Sequence, residues 1–154
     1  MTSIHIDRLT LYEKDYLQWL ETTIEKLRDR DYTHIDWEHL IEEIEDMGKS
    51  ERRSLESNLI VVLLHLLKWQ YQPESRSGSW EGSILEHRRS IRKALKDSPS
   101  LKPYLETIFS ECYVEAVKQA KAETGLALET FPIQCSYQLV DVLDDTFLPE
   151  SEDV

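Results

Sequence analysis

The stretch of sequence that decides the fold reads Leu59-Ile60-Val61-Val62-Leu63-Leu64-His65-Leu66-Leu67. This apolar run lies within residues 51–72, which contain neither proline nor glycine. A helix over Glu51–Tyr71 would be about 30 Å long, since each residue adds about 1.5 Å. Because the run is apolar on nearly every side of such a helix, we predict that this helix is the central one in a helical bundle.

Four polar residues punctuate this helix at intervals of seven: Glu51, Asn58, His65 and Gln72. Seven residues make nearly two helical turns, so successive members shift by only about 20° and share one side of the helix. Polar side chains on so apolar a helix need partners, which makes these four the candidate catalytic residues. The imidazole of His65 can act as a general base near neutral pH when a carboxylate orients it. The structural alternatives are a hydrogen-bonded core histidine and a stripe that only sets the register of the helix.

The composition indicates one folded, helical domain. The chain has 154 residues, of which 40% are hydrophobic and 31% charged, with only four glycines and five prolines. A chain of this size usually forms one domain and can bury roughly 68–70% of its unfolded surface. So few turn-forming residues disfavour an all-β fold. We therefore predict an all-α, single-domain bundle of five to six helices, with an ordered core over residues 12–149 and a frayed acidic tail over 150–154.

Apolar residues at three- and four-residue spacing predict where these helices lie. The first, third and last predicted helices cover about 13–28, 51–71 and 137–145. The fourth helix carries Trp80, Ile84, Ile91 and Leu95 on one side. The fifth has an apolar face from Leu105 to Ala120, with Ser98 or Ser100 as its N-cap and Gly125 at its C-terminal end. Asp36 is expected to cap the second helix and Gly48 to stop or kink it. The apolar face of that helix consists of Trp37, Leu40, Ile41, Ile44 and Met47. Ser79 is expected to cap the fourth helix. On that helix His87 or Arg88 must lean toward the core, because both positions lie between Ile84 and Ile91 on its apolar side.

The charge is strongly negative but uneven. The net charge of −12 opposes non-specific binding to nucleic acid or to an anionic membrane. Residues 1–50 carry 13 acids against 6 bases, and residues 141–154 carry six acids and no base. A basic segment lies between them and contains Arg76, Arg88, Arg89, Arg92, Lys93 and Lys96. This segment is either neutralised by an acidic helix of the same fold or is the surface where an anionic ligand, nucleic acid or protein partner binds.

No segment of the sequence predicts a membrane-spanning protein or a secreted one. The first residues are polar, with His5, Asp7 and Arg8, and do not resemble a signal peptide. The longest apolar run is about half of the ~20 residues that a membrane span needs. The two cysteines, Cys112 and Cys135, are not spaced like the ligands of a metal ion. We expect both to remain reduced thiols, as cysteines of cytoplasmic proteins do. We therefore expect a cytoplasmic protein.

The second predicted helix carries a row of acids, with Glu38, Glu42 and Glu45 at four- and three-residue spacing. Carboxylates suit the hard cations Mg²⁺ and Mn²⁺, and helical bundles hold metal ions through glutamates at such spacing. Glu42 and Glu45 are therefore the candidate metal ligands. The Glu-x-x-His motif of di-iron bundles is absent from the sequence, and a solvated face paired with arginines explains the same spacing.

A cluster of aromatic and basic residues surrounds the loop that follows residue 72: Lys68, Trp69, Tyr71, Arg76 and Trp80. Aromatic rings beside cations stack on bases or contact the anionic groups of a partner. Together with Arg88 and Arg89 of the next helix, these residues are the candidates for binding an anionic ligand. The structural alternative is a hydrophobic cap over one end of the bundle.

Several segments carry a resemblance to a known family. They are Glu42-Glu43-Ile44-Glu45-Asp46-Met47-Gly48-Lys49-Ser50-Glu51-Arg52-Arg53, His65-Leu66-Leu67-Lys68-Trp69-Gln70-Tyr71-Gln72-Pro73, Ser79-Trp80 and Asp97-Ser98-Pro99-Ser100-Leu101-Lys102. In this order they resemble a bacterial family known as domain of unknown function 29, from about Tyr12 to Pro149. The resemblance implies a small, mostly stand-alone helical protein, and it implies no catalytic residue. One departure is Ser136-Tyr137, where the family would have Pro-Trp at the cap of the last helix.

Two functions are compatible with these patterns. A cytoplasmic interaction module would bind a protein partner through the basic fourth helix and the aromatic loop, and a homodimer stays open. A metal-dependent phosphohydrolase or nuclease would bind Mg²⁺ or Mn²⁺ through acids of the second helix, with His65 as the base and Arg88 or Arg89 holding phosphate. Since no catalytic constellation is complete, we favour the interaction module.

Overall fold

The computed structural model describes residues 9–151 of the chain. Within that range the regular structure is helical and contains no strand, which confirms the all-α prediction. The α-helices are α1 (Leu11–Lys14), α2 (Tyr16–Arg28), α3 (Trp37–Tyr71), α4 (Gly78–Asp97), α5 (Leu101–Thr124) and α6 (Leu139–Val142). Short 3₁₀ turns occupy Tyr32–His34, Pro73–Ser75 and Leu128–Thr130. Each of these described helices is too short or too polar to cross a lipid bilayer.

Residues 1–48 and residues 49–154 form two compact units. The single-domain organisation stays a prediction. Of the features expected near the chain ends, His5, Asp7 and Arg8 lie outside the described residues, as does the segment 152–154 of the predicted frayed tail. The described part of that tail, Glu150 and Ser151, belongs to no helix and is exposed.

The first predicted helix, residues 13–28, is two helices in the structure because Asp15 interrupts it. Asp15 has φ −150° and ψ 89°, and its side chain accepts a hydrogen bond from the backbone N–H of Gln18 at 3.0 Å. Aspartate is more favourable at a helix start, where it satisfies a free N–H, than inside a helix. α1 therefore ends and α2 begins at this residue.

The second and third predicted helices are one helix, because α3 runs without a break from Trp37 to Tyr71. Of the stop or kink predicted at Gly48, the stop is therefore wrong. A glycine ends a helix when it takes the left-handed conformation, as Gly125 does after α5 with φ 71°. Gly48 has no such positive φ and remains helical. Its missing side chain costs about 1 kcal/mol relative to alanine, which a long helix tolerates.

The second unit is built around the C-terminal half of α3. Leu59, Val62, Leu63 and Leu66 have no exposed surface and lie in one hydrophobic cluster with residues of α4, α5 and α6. The central position predicted for the Glu51–Tyr71 helix is confirmed for this unit. Cys112 of α5 and Cys135 are free thiols, and burial raises the pKa of Cys112 to about 11.

α4 inserts a buried arginine into this core. The helix begins at Gly78 because Ser77, not Ser79, accepts the backbone hydrogen bond of Trp80. The prediction that position 87 or 88 turns inward is confirmed by Arg88, which is 1% exposed. Its guanidinium donates hydrogen bonds to the backbone carbonyl oxygens of Val142 at 2.7 Å and Phe147 at 2.8 Å. Arg88 therefore fixes the C-terminal segment onto α4.

α6 is shorter than the predicted 137–145 because a turn follows it. The carboxylate of Asp144 accepts hydrogen bonds from the backbone N–H and the hydroxyl of Thr146, both at 2.8 Å. Such side-chain bonds compete with the helix for backbone donors. The chain therefore leaves the helical path after Val142.

Candidate functional site

α3 begins in the first unit with a capped turn that carries a histidine. One oxygen of Asp36 accepts a hydrogen bond from the backbone N–H of His39 at 3.3 Å, as predicted for the N-cap. The other oxygen lies 2.5 Å from Nδ1 of the same imidazole. This hydrogen bond raises the pKa of His39 and lowers the pKa of Asp36, because it favours the charged form of each group.

His39 belongs to an aromatic cluster that holds α3 against α1 and α2. Its imidazole stacks on Tyr12 with ring centroids 4.1 Å apart, and it meets the indole of Trp19 edge-on at 6.5 Å. Tyr12 packs edge-on against Trp19 at 4.9 Å. One turn along α3, Glu43 accepts hydrogen bonds from the hydroxyls of Tyr12 and Tyr16. We call these five residues the aromatic clamp.

Hydrogen bonds within the aromatic clamp fix the charge states of Glu43 and Tyr12 near neutral pH. The hydrogen bond from Tyr12, followed by that from Tyr16, lowers the pKa of Glu43, so its carboxylate is ionised. The same bond raises the pKa of Tyr12 to about 12, so its hydroxyl stays a donor. The aromatic clamp therefore acts as a fixed attachment along one side of α3.

A different side of this half of α3 is apolar and exposed. Its residues recur at four- and three-residue spacing and are Trp37 (47% exposed), Ile41 (54%), Ile44 (60%) and Met47 (67%). We call them the apolar stripe. Of the apolar face predicted for this helix, Leu40 is therefore partly buried and the other four residues are exposed. Because each residue turns a helix by about 100°, the apolar stripe is centred about 120° from His39 and Glu43, and the aromatic clamp leaves it uncovered.

A row of acids borders the apolar stripe. Glu38, Glu42 and Glu45 each follow a stripe residue by one position, which places them about 100° further round α3. All three are exposed, and none forms a hydrogen bond or ion pair with a residue in the range 9–151. We call them the acid row. Among the described residues, no group of three or more His, Cys, Asp or Glu could hold a metal ion, so the candidate metal ligands Glu42 and Glu45 lack a third ligand there.

The four candidate catalytic residues lie in the second unit and are not joined to one another by hydrogen bonds within the described chain. Nδ1 of His65 donates to the carbonyl oxygen of Val61 in its own helix at 2.8 Å, and burial lowers its pKa. Gln72 donates to the carbonyl oxygen of Thr124, the last residue of α5, at 3.3 Å. Asn58 is partly buried and Glu51 is exposed. His65 thus has the environment of a hydrogen-bonded structural histidine. A catalytic role for these residues stays a prediction.

The aromatic and basic residues around the C-terminal end of α3 form two cation–π pairs. Nζ of Lys68 lies 4.6 Å from the ring centroid of Trp80. The guanidinium carbon of Arg76 lies 4.8 Å from the ring centroid of Trp69, and its Nε donates to the carbonyl of that residue at 2.8 Å. Tyr71 is buried. Because each cation already has a ring as neighbour, the geometry favours a cap over the core of the second unit, and ligand binding here stays a prediction.

The adjacent residues Arg88 and Arg89 have opposite environments. The hydrogen bonds of Arg88 to backbone carbonyls occupy Nε and one terminal nitrogen inside the core. Arg89 is exposed and forms no hydrogen bond or ion pair with a described residue. Elsewhere on α4, Arg92 pairs with Asp145 at 2.5 Å. The acidic C-terminal segment, rather than an acidic helix, thus neutralises part of the basic segment.

The second unit also has an apolar groove of about 540 Å³ beside α5. Its walls include Val117, Phe131 and Ile133, and Ile133 is 96% exposed. Lys118 lies at the groove but pairs with Glu115 of its own helix at 3.1 Å. Glu129, also at the groove, has no hydrogen bond or ion pair with a described residue, so the groove carries one unpaired charge there where the acid row carries three.

Sequence reasoning missed the aromatic clamp because its members lie on three different helices. The available signal was local: Tyr12, Tyr16 and Trp19 share one helical spacing, and His39 and Glu43 share another. Neither spacing identifies the other as its partner. The apolar stripe was visible in the sequence, but only as an apolar face.

Comparison with known proteins returned one family. The family model described as Domain of unknown function DUF29 matches residues 11–148 of the chain. This range includes the aromatic clamp, the apolar stripe and the acid row. Neither a curated protein nor a solved structure matched the chain.

Proposed function

The chain belongs to the DUF29 family, whose description states no reaction, and we propose from the geometry of its first unit that it is a cytoplasmic interaction module. The apolar stripe on α3 is the surface that docks a segment of another protein. One observation carries the proposal. A helix face with the spacing of a buried face is uncovered.

The size and composition of the apolar stripe support docking. Single exposed apolar residues are ordinary, whereas contiguous apolar patches mark sites of interaction. The stripe places four large side chains on eleven residues of helix, from Trp37 to Met47, a distance of about 15 Å. Aromatic residues and methionine, here Trp37 and Met47, are enriched at interfaces between proteins. Spacing of four, three and three residues suits a helical partner that lies along α3.

The aromatic clamp prepares this surface for binding. Hydrogen bonds from Tyr12 and Tyr16 to Glu43 and the stacking of His39 attach the opposite flank of α3 to α1 and α2. A partner would therefore not have to order α3 on binding, and less conformational entropy would be lost. Rigid presentation of an apolar face is what a docking surface requires.

The proposal moves the docking surface away from the fourth helix and its aromatic loop. In that region Lys68 and Arg76 have aromatic neighbours in their own unit, and Arg88 is buried. The cytoplasmic assignment is supported by Cys112 and Cys135, which are free thiols.

The test uses a photo-crosslinking amino acid in place of Ile41, in cells that express the full chain. A captured protein is then produced on its own and its affinity is measured by calorimetry for three proteins: the unmodified chain, Ile44→Arg and Ile133→Arg. Arginine in the apolar stripe should weaken binding about tenfold or more, because a charge would be buried at the centre of the interface.

Ile133→Arg is the matched control, since it makes the same change at an exposed isoleucine in the second unit. It should change the dissociation constant by less than about twofold. Equal affinity of the partner for Ile44→Arg and for the unmodified chain would rule out the apolar stripe as the docking surface. If position 41 crosslinks only to further copies of the chain, the docked segment belongs to a homodimer, and the proposal of a different protein as partner is wrong.

A further inference from the structure

Resting on the proposed function, we infer that the docked segment is a basic amphipathic helix: apolar on one side, with lysines or arginines along the flank that meets α3. The acid row beside the apolar stripe points to this chemistry. Docking of apolar side chains alone would not account for a row of carboxylates beside the apolar stripe.

The acid row and the apolar stripe are in register. Glu38, Glu42 and Glu45 follow Trp37, Ile41 and Ile44 by one residue each, so every turn presents an apolar contact with a carboxylate beside it. Two packed helices lie about 8–10 Å apart, and residues that flank their contact reach across to one another. A helix laid along the apolar stripe would therefore bring its flank within reach of all three carboxylates.

Glu38 and Glu42 attract the imidazole of His39, but no carboxylate of the acid row forms a hydrogen bond or ion pair within residues 9–151, whereas the acids on the other flank do. Asp36 is held by His39, and Glu43 accepts hydrogen bonds from Tyr12 and Tyr16. Of the acids beside the apolar stripe, those of the acid row are thus the ones without a hydrogen-bond partner in the described chain. A basic flank would be attracted to that side and so would fix the orientation of the docked helix.

A second copy of the chain does not satisfy this pattern. In an antiparallel pairing through the apolar stripe, the acid row would face the acid row of the other copy, and like charges would repel. In a parallel pairing, the acid row would face the flank that already carries Asp36 and Glu43 and is covered by α1 and α2. An anionic membrane or nucleic acid would be repelled for the same electrostatic reason.

The experiment measures the binding of two synthetic helical peptides of about 18 residues, long enough to span the apolar stripe. Both carry leucines at three- and four-residue spacing, one with lysines and the other with glutamates on the flanks. Fluorescence anisotropy should show the lysine peptide binding the full chain at least about tenfold more tightly. The preference should shrink as salt rises from about 0.05 M to about 0.5 M, because salt screens exposed charges.

The variant E38K/E42K/E45K should reverse this preference and bind the glutamate peptide more tightly. Should charge reversal disturb the fold, as judged by circular dichroism, E38Q/E42Q/E45Q should abolish the preference without reversing it. The control E81K/E86K/E111K changes three exposed glutamates of α4 and α5 and alters the net charge by the same amount. It should keep most of the preference for the lysine peptide.

The outcomes separate this inference from the proposed function. If the unmodified chain binds both peptides equally, or if the control triple variant removes the preference as fully as the acid-row variant does, the basic partner is wrong. Docking at the apolar stripe would then still stand, provided that Ile44→Arg weakens binding of both peptides. If Ile44→Arg binds the lysine peptide as tightly as the unmodified chain does, the proposed function fails, and the inference fails with it.

Discussion

Arg88 carries a charge into the core of the second unit, at a place where α4 otherwise presents apolar side chains. Replacing it with methionine keeps most of the volume but leaves the carbonyl oxygens of Val142 and Phe147 without their donor. We expect Arg88→Met to lower the free energy of unfolding by about 3 kcal/mol, measured by urea titration. Arg89→Met is the matched control at an exposed neighbour and should change it by less than about 0.5 kcal/mol. Equal losses in both variants would contradict the structural role of Arg88.

His39 should make stability depend on pH. Its pKa is raised above 6.5 by Asp36, so its contribution is complete below pH 6.5 and is lost as pH rises through the folded pKa. The pKa of Asp36 is lowered below 3.8, so its contribution is lost only as pH falls through that lower value. Thermal unfolding from about pH 5 to about pH 8 should therefore show the unmodified chain losing stability relative to His39→Gln as pH rises. Parallel profiles for the two proteins would contradict the ion pair.

These two residues differ in how far the sequence predicts them. The inward position of Arg88 follows from the helical period, because Ile84 and Ile91 lie on the same side of α4. The stacking of His39 on the ring of Tyr12 could not be predicted in this way. Tyr12 is on a separate helix, and local spacing holds no information about which helices pack together.

At the scale of helices, Gly48 and Gly125 form a matched pair. A side chain at either position would meet no atom within 4 Å, but only Gly125 has a left-handed φ, at 71°. Gly48→Ala should raise the free energy of unfolding by about 1 kcal/mol, because alanine restricts the unfolded chain and favours the helix. Gly125→Ala should lower it by about 1 kcal/mol, because alanine is strained at that φ. Urea unfolding measures both, and a loss of stability in Gly48→Ala would show that α3 is not helical at this position.

The predictable parts of the helices are those with a local cause. Asp36 starts α3 and Gly125 ends α5 through contacts with residues a few positions away. The apolar stripe shows where prediction stops. Spacing reveals that a helix face is apolar, but burial depends on which distant segment covers that face, and here no described segment does.

At the scale of the whole chain, the hydrophobic core is concentrated in one of the two units. Every described member of the core cluster lies between Leu55 and Leu148, whereas the buried residues within positions 9–48 of the first unit are Trp19, Thr23 and Ile35. A fragment of residues 49–154 should therefore keep its helical circular dichroism and unfold cooperatively in urea. A fragment of residues 9–48 should be mostly unfolded, because helices shorter than about 12–15 residues are marginal without packing.

Arg88→Met provides the internal control for this experiment. The hydrogen bonds that Arg88 forms with described residues lie within residues 49–154, so the substitution should destabilise the fragment by about as much as the full chain. Loss of cooperative unfolding in the 49–154 fragment would show that its core depends on residues of the first unit. A much smaller effect of the substitution in the fragment than in the full chain would show that α6 no longer packs on α4 there.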